Sequence, residues 1–245
     1  MNRTIIFHVP HDGNQLKEEL MSSVVIDRDL FLWYHNKMRD MDATLFAPEI
    51  DGAKIIKFDV SRLLCDVERF IGDAEIMEKY GMGFCYERVY DGTVIKSVDQ
   101  RLKEKTYALY AQHHNYLDET VKNASDDIVL IDLHSFSEDL IVHQDITKAL
   151  PDICIGCEDD MPDELKNRIV SAFMDQGFSV DVNYPYQGSM IPNCILSKTV
   201  KKKLISFMVE VNKDCYIRNG ETDASRIEKI RNAIKNIIRI MEAGS

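Results

Sequence analysis

No apolar run in the 245-residue chain approaches the roughly 18–20 residues that a membrane-spanning helix needs. Glycine (11) and proline (6) are sparse, which excludes collagen-like and low-complexity readings. The six cysteines are irregularly spaced in a chain long enough for a large core, so a disulfide framework is excluded. Cys154 and Cys157 form a C-x-x-C that reads as two small apolar fillers, and no second such pair completes a structural zinc knuckle. Positive charge is also short: 30 Lys and Arg against 41 Asp and Glu give a net charge of −11. That balance lacks the electrostatic footprint for nucleic acid or an anionic membrane. The run Lys201-Lys202-Lys203 reads as a solvated edge rather than a phosphate patch. The opening residues Met1 to His8 run straight into a strand pattern with no signal-peptide core. A soluble, reduced, cytoplasmic chain is the expectation.

What is present is a globular composition, 45% hydrophobic and 29% charged. The length suits one α/β domain spanning 1–245. Short β-branched runs predict strands at 4–9, 54–60, 127–133, 152–156, 179–183 and 204–211. Ile128 to Ile131 is continuous rather than alternating, as in a strand covered on both faces. Between them lie helical patterns. Pro162 opens one that puts Leu165, Ile169, Ala172 and Phe173 on one face, and Gly177 closes it. A second runs from about Leu102 to Val121. The last begins near Asp223 and stripes Ile227, Ile230, Ile234, Ile237, Ile238 and Met241 toward a sheet. The expected architecture is a mixed sheet with helices on both faces.

Ligands in open α/β sheets bind beyond the carboxyl ends of the strands. Here those ends are polar: His8-Val9-Pro10-His11-Asp12-Gly13, Asp132-Leu133-His134-Ser135, Asn183-Tyr184-Pro185-Tyr186-Gln187-Gly188 and Glu210-Val211-Asn212-Lys213, with Ser61-Arg62 and Asp66-Val67-Glu68-Arg69 after the second strand. His11, His134 and one carboxylate compose the two-histidine, one-carboxylate set of a catalytic zinc with an open position. Such an ion acidifies its water and polarises a carbonyl. Glu210 is then placed to take the water's proton and hand it to a leaving amine. Arg62 and Arg69 suit an anionic substrate. Ser135 lacks a G-x-S-x-G elbow and, next to His134 on a strand, points to the other face, so a Ser/His nucleophile is discounted.

With these residues in view, the chain resembles the N-formylglutamate amidohydrolase family from about Ile5 to Tyr216. The matching segments include Pro10-His11-Asp12-Gly13, Val60-Ser61-Arg62, Cys65 to Phe70 and Gly81-Met82-Gly83. They continue through His114-x-x-Leu117, Asp132 to Ser135, Pro151 to Gly156, Asn183 to Gly188 and Glu210 to Lys213. The resemblance implies a three-layer α/β/α sandwich around a mixed sheet, similar to the zinc carboxypeptidases (phosphorylase/hydrolase-like), with one zinc or another divalent metal. It implies hydrolysis of a formyl or acyl amide on a small acyl-amino-acid partner, with self-association into a homo-oligomer left open. His11 and His134 match the histidine ligands and Glu210 the general base. Arg62 matches a group that polarises the scissile carbonyl, and Arg69 one that grips a substrate carboxylate. Asn183 and Tyr186 match the lining of the amino-acid side. His114 is either at the pocket edge or packed against the sheet.

For the third metal ligand the resemblance implies an aspartate in the stretch Met38-Arg39-Asp40-Met41-Asp42-Ala43-Thr44-Leu45-Phe46. Asp40 aligns best and Asp42 competes. Glu68 stands where relatives often carry Asn, and a carboxylate there works against an anionic substrate. Two other functions share these residues: a zinc carboxypeptidase-like peptidase, and a non-catalytic module that captures small carboxylates.

Overall fold

In the computed structural model of the chain, residues 3–72, 75–142 and 146–243 are described. Met1 and Asn2 of the expected opening strand pattern, and 244–245 at the end of the expected domain, lie outside them. The strands are β1 (Arg3–Val9), β2 (Lys54–Lys57), β3 (Asp127–Phe136), β4 (Ile153–Gly156), β5 (Val180–Val182) and β6 (Leu204–Asn212), plus a small hairpin of β7 (Ile217–Arg218) and β8 (Glu221–Thr222). The helices are α1 (Glu18–Met21), α2 (Arg28–Met38), α3 (Gln100–Asn123), α4 (Asp163–Met174), α5 (Asn193–Leu196), α6 (Lys213–Tyr216) and α7 (Ala224–Ala243). The chain divides into two compact units. One comprises Met1–Val9, Asp42–Ile56 and Thr120–Ser245; the other comprises Pro10–Met41 and Lys57–Glu119.

The first unit is built on a mixed sheet in the order β2-β1-β3-β6-β4-β5. Strands β1, β3 and β6 run parallel; β4 runs antiparallel to β6 and parallel to β5. The two-residue repeat of a strand sorts its side chains by face. Ile5, Phe7 and Val9 of β1, Val129, Ile131 and Leu133 of β3, Ile153 and Ile155 of β4, and Phe207, Val209 and Val211 of β6 form one apolar core. Ile169, Ala172 and Phe173 of α4 and the isoleucine stripe of α7 pack into that core. Burying each large aliphatic side chain contributes about 1.5–3 kcal/mol, so this helix-covered face carries much of the unit's stability. Asp223 caps α7 through the Ser225 amide at 2.9 Å, where the sequence places the start. Pro162 occupies the N-cap position of α4 without a side-chain cap, and Gly177, at φ +84°, turns the chain beyond its end.

The opposite face of the same strands is unlike a core. It carries His8, Asp132, His134, Ser206, Glu210 and Cys154, all buried. The β-branched runs predict the strands, and on this face the polar residues are set among Ile6, Leu130 and Met208, which are also buried.

The second unit holds α1, α2 and most of α3, joined by long loops around Leu20, Phe31, Leu63, Leu64, Val67 and Tyr86. The strand expected over 54–60 stops at Lys57. Beyond it the backbone pairs with residues 13–15 instead: the Gln15 amide donates to Asp59 at 2.8 Å and the Ser61 amide to Gln15 at 3.0 Å. Gly13 permits the approach, because a Cβ there would lie 2.5 Å from the Asp59 and Phe58 backbone. Lys202 is not merely a solvated edge. In the first unit its Nζ donates to the Val121 carbonyl at 3.0 Å and to that of Ala124, closing the C-terminal end of α3. None of the described helices is long and apolar enough to cross a membrane.

Candidate active site

In the first unit, strand register assembles the polar face. His134 of β3 lies opposite Glu210 of β6, and Cys154 of β4 is also opposite Glu210. His8 of β1 lies opposite Asp132 of β3, two residues before His134. Both His134 and Glu210 therefore sit within paired strands rather than beyond their ends, which denies them the freedom of loop residues. His8 Nδ1 donates to Asp132 Oδ1 at 2.7 Å, and His134 Nε2 is 3.2 Å from the same oxygen. The Met190 amide donates to Asp132 Oδ2 at 3.2 Å. Burial alone would raise the Asp132 carboxyl, but His134 and His8 outweigh it and hold it well below the usual carboxylate range.

The segment after β5 is drawn over this face by its own bonds. Ser206 Oγ donates to the Met190 carbonyl at 2.7 Å, Cys154 Sγ to the Tyr186 carbonyl at 3.2 Å, and the Tyr186 ring meets Phe136 edge-on. Gly156 lets the Gly188 carbonyl come close enough that a Cβ would collide with it. Asn183, at φ 54°, spends its amide on the Cys157 backbone, accepting at 2.9 Å and donating at 3.0 Å. It clamps the strand end to β4. Cys154 and Cys157 are free thiols, and burial pushes Cys154 up to about 12.

In the second unit, Asp66 is the centre. Its carboxylate accepts His11 Nε2 at 2.8 Å, Arg62 at 2.9 Å, the Tyr86 hydroxyl at 2.9 Å and the Glu68 amide at 3.1 Å, with Arg69 Nε 3.5 Å away. Burial opposes its ionisation, yet His11, Arg62 and Arg69 together hold the carboxyl well below its ordinary range. His11 shows the reverse balance. Burial and Arg62 push the imidazole down, but Asp66 and Asp40 raise it above its ordinary value. The other ring nitrogen, Nδ1, is 3.7 Å from Asp40 Oδ2 and 3.8 Å from Glu68 Oε2. The Asp40 amide donates to the His11 carbonyl at 3.0 Å, which fixes the two residues side by side. Asp42 belongs instead to the first unit, in a left-handed conformation (φ 57°) that starts a short 3₁₀ turn over Ala43–Phe46.

His114 and Tyr110 of α3 grip the Asp66–Arg69 segment by its backbone. His114 Nε2 donates to the Val67 carbonyl at 2.7 Å and the Tyr110 hydroxyl to the Arg69 carbonyl at 3.0 Å, with the two rings 4.3 Å apart. His114 is thus a loop anchor. Arg62 and Arg69 both donate toward the Tyr86 hydroxyl at 3.4 Å.

The His11–Asp40 pair suits a divalent metal. Two donors on one tetrahedral zinc lie about 3.3 Å apart for bonds of about 2.0 Å, close to the 3.7 Å found here. The Nε2–Asp66 bond is the carboxylate contact that ligating histidines generally keep on their other nitrogen. Asp66, His8 and Asp132 lie in quoted motifs and Tyr86 lies three residues beyond Gly81-Met82-Gly83, yet the sequence reading assigns none of the four a role. The signals were the i,i+4 and i,i+3 spacing of Asp66 to Arg62 and Arg69, and the two-residue step from Asp132 to His134.

The sequence matches the N-formylglutamate amidohydrolase family over residues 3–217. The chain belongs to that family. Comparison with curated protein sequences finds no match. Among solved structures the chain is similar to an N-formylglutamate amidohydrolase from Ralstonia eutropha JMP134, at 18% identity and a TM-score of 0.74, covering 99% of this chain and 95% of that one. It is also similar to a gene product of Agrobacterium tumefaciens, at 16% identity and a TM-score of 0.65, covering 98% and 92%. These likenesses establish the α/β fold with its mixed six-stranded sheet.

Proposed function

We propose that the chain hydrolyses the amide of an N-formyl or N-acyl amino acid, such as N-formyl-L-glutamate, with zinc or a similar divalent ion held by His11, Asp40 and His134. The observation that carries this reading is Glu210 opposite His134 on a buried sheet face, in a chain of the amidohydrolase family. When bound, the ion supplies Lewis acidity that polarises the amide carbonyl. Glu210 takes the proton of the attacking water and delivers it to the leaving amine. Arg62 donates to the oxygen that gains negative charge, work that a fixed, buried guanidinium performs without reorganising. Arg69 pairs with the substrate carboxylate. Tyr186 lines the amino-acid side. Asn183 and His114 serve substrate binding indirectly, by fixing the backbone at Cys157 and Val67.

A second substrate preference has an observation of its own. Glu68 Oε2 stands 3.8 Å from His11 Nδ1, a negative charge where an acidic substrate is least welcome. It favours acyl amino acids, or blocked dipeptides, with a neutral or basic side chain over formylglutamate.

The test is metal content by elemental analysis, paired with amine release from N-formyl-L-glutamate, N-acyl neutral amino acids and a blocked dipeptide before and after chelation. Metal near one per chain with chelator-sensitive release supports the amidohydrolase reading, and the preferred substrate ranks the two preferences. Release that survives complete metal removal overturns the metal role. Acyl amino acids that stabilise the fold without being cleaved make the chain a binding module.

A further inference from the structure

The second unit carries an apolar surface that the chemistry above leaves unused. Phe70, Ile71 and Ile76 of the loop after Arg69 are 62%, 45% and 75% exposed, and Tyr107 of α3 is 50% exposed. Single exposed apolar side chains are ordinary on a folded protein, but a contiguous group of large ones is not. Together these four present on the order of 400 Å² of apolar surface, the size at which such patches mark interaction sites.

Their contiguity follows from the loop's own bonds. The buried Glu75 carboxylate accepts the Phe70 amide on Oε2 at 2.8 Å and the Met77 amide on Oε1 at 2.7 Å, so residues 70 and 77 stand side by side at the base of a closed turn. The segment is then fixed along α3 at two points. The Tyr110 hydroxyl donates to the Arg69 carbonyl at 3.0 Å at one end, and Lys103 Nζ meets Glu78 Oε1 at 3.6 Å at the other. Tyr107 lies between those anchors on the same face of the helix, with its ring stacked on that of Tyr110 at 6.2 Å. A braced loop therefore presents the apolar side chains, and covering them costs little in ordering entropy.

The rim identifies the occupant. Glu78 and Lys103 stand at one edge of the patch, with both side chains nearly half exposed. A two-fold contact sets one surface against its own copy, so its rim must carry both signs to be self-complementary. An anionic membrane, by contrast, is repelled by the net charge of −11. We propose that this loop–α3 surface is the interface of a homodimer, with Phe70, Ile71, Ile76 and Tyr107 at its centre and Glu78 facing the partner subunit's Lys103 on both sides of the axis. The Glu78–Lys103 pair within one chain is solvent-exposed and weak, so trading it for a pair across the axis costs little. A standard interface covers about 800 Å² per partner, of which the apolar centre supplies about half.

The test is sedimentation velocity of the full-length chain across micromolar concentrations, where the wild type is expected to run as a dimer. Ile76→Glu puts an unpaired carboxylate into the contact and should weaken the dimer by at least ~100-fold, with the unfolding midpoint unchanged because the site is exposed in the single chain. Glu78→Lys and Lys103→Glu should each weaken it about 3–10-fold. An equimolar mixture of those two variants should recover wild-type affinity, since each chain then offers the sign its partner needs. A monomeric wild type gives the patch to a different partner and overturns the proposal, as does an Ile76→Glu chain that dimerises within about twofold of wild type. A mixture that associates no more tightly than its components overturns the two-fold pairing.

Discussion

The two units solve the same problem, holding buried charge in place, by different means. In the first, the groups stand on β1, β3, β4 and β6, and their directions follow from strand alternation and register. In the second, His11, Asp40, Arg62 and Arg69 stand on loops, and a single carboxylate, Asp66, ties three of them together while Asp40 joins through His11. The first array contains no lysine or arginine: His8, Asp132, His134, Glu210 and Cys154. The second is rich in cations. A sheet can orient a carboxylate such as Glu210 by register, whereas these loops are tied together by ion pairs. The difference predicts that damage at Glu210 costs chemistry with little stability, and that loss of Asp66, the hub of the second array, costs structure.

The largest effect is expected at Glu210. Glu210→Gln should lower kcat by about 10²–10⁴-fold while zinc uptake and the unfolding midpoint stay near wild type. Steady-state kinetics beside a metal titration checks this, and undiminished turnover removes Glu210 from the mechanism. Asp66→Ala tests the other unit. It strands two guanidiniums and an imidazole in a buried setting and should lower stability by about 3–5 kcal/mol in urea unfolding. A wild-type midpoint for that variant would erase the contrast between the units.

Next in size is a pH effect confined to the second unit. Burial, with Arg39 beside it, holds the His35 imidazole down at about 4 from an ordinary 6.5. Between those values the folded chain binds fewer protons than the unfolded chain. Stability from this group is thus complete above pH 6.5 and lost as pH falls toward 4. Replacing it, as in His35→Gln, should flatten that limb of the stability–pH curve, worth up to about 3 kcal/mol. A limb of unchanged slope assigns the acid sensitivity elsewhere.

Arg69→Ala should mainly raise KM for carboxylate-bearing substrates, by about 10–100-fold, because the contact exists in ground and transition states alike. An equal fall in kcat would instead give Arg69 a role at the reacting atoms. The smallest change is expected at Lys202→Met, which removes the cation at the end of α3 and should cost about 0.3–1 kcal/mol by thermal unfolding, with kinetics untouched.

Legibility differed between the units for a physical reason. Strand periodicity is local, so all six strands of the sheet, the stripe of α7, and His134 and Glu210 as polar residues near strand ends could be read from order alone; that both lie inside paired strands was not. The strand over 54–60 was overextended because its last residues pair with 13–15, and a close approach at Gly13 leaves no local trace beyond the glycine. His114 and Asn183 were visible as polar residues in the right motifs. Whether each would face a ligand or a backbone depended on segments far along the chain, Val67 and Cys157.

By itself, the order of residues determined the α/β class, the family, and which residue types could hold a metal, move a proton and grip a carboxylate, because motif order and two- and 3.6-residue periods are properties of neighbouring residues. Tertiary structure decided the rest. It set Asp40 beside His11, through a hydrogen bond from the Asp40 amide to the His11 carbonyl, and it made Asp66 the shared acceptor of His11, Arg62, Tyr86 and the Glu68 amide. It also joined His8 to Asp132 across 124 residues of chain. Contacts of that range depend on the register of parallel strands and the packing of loops, and no local pattern encodes either.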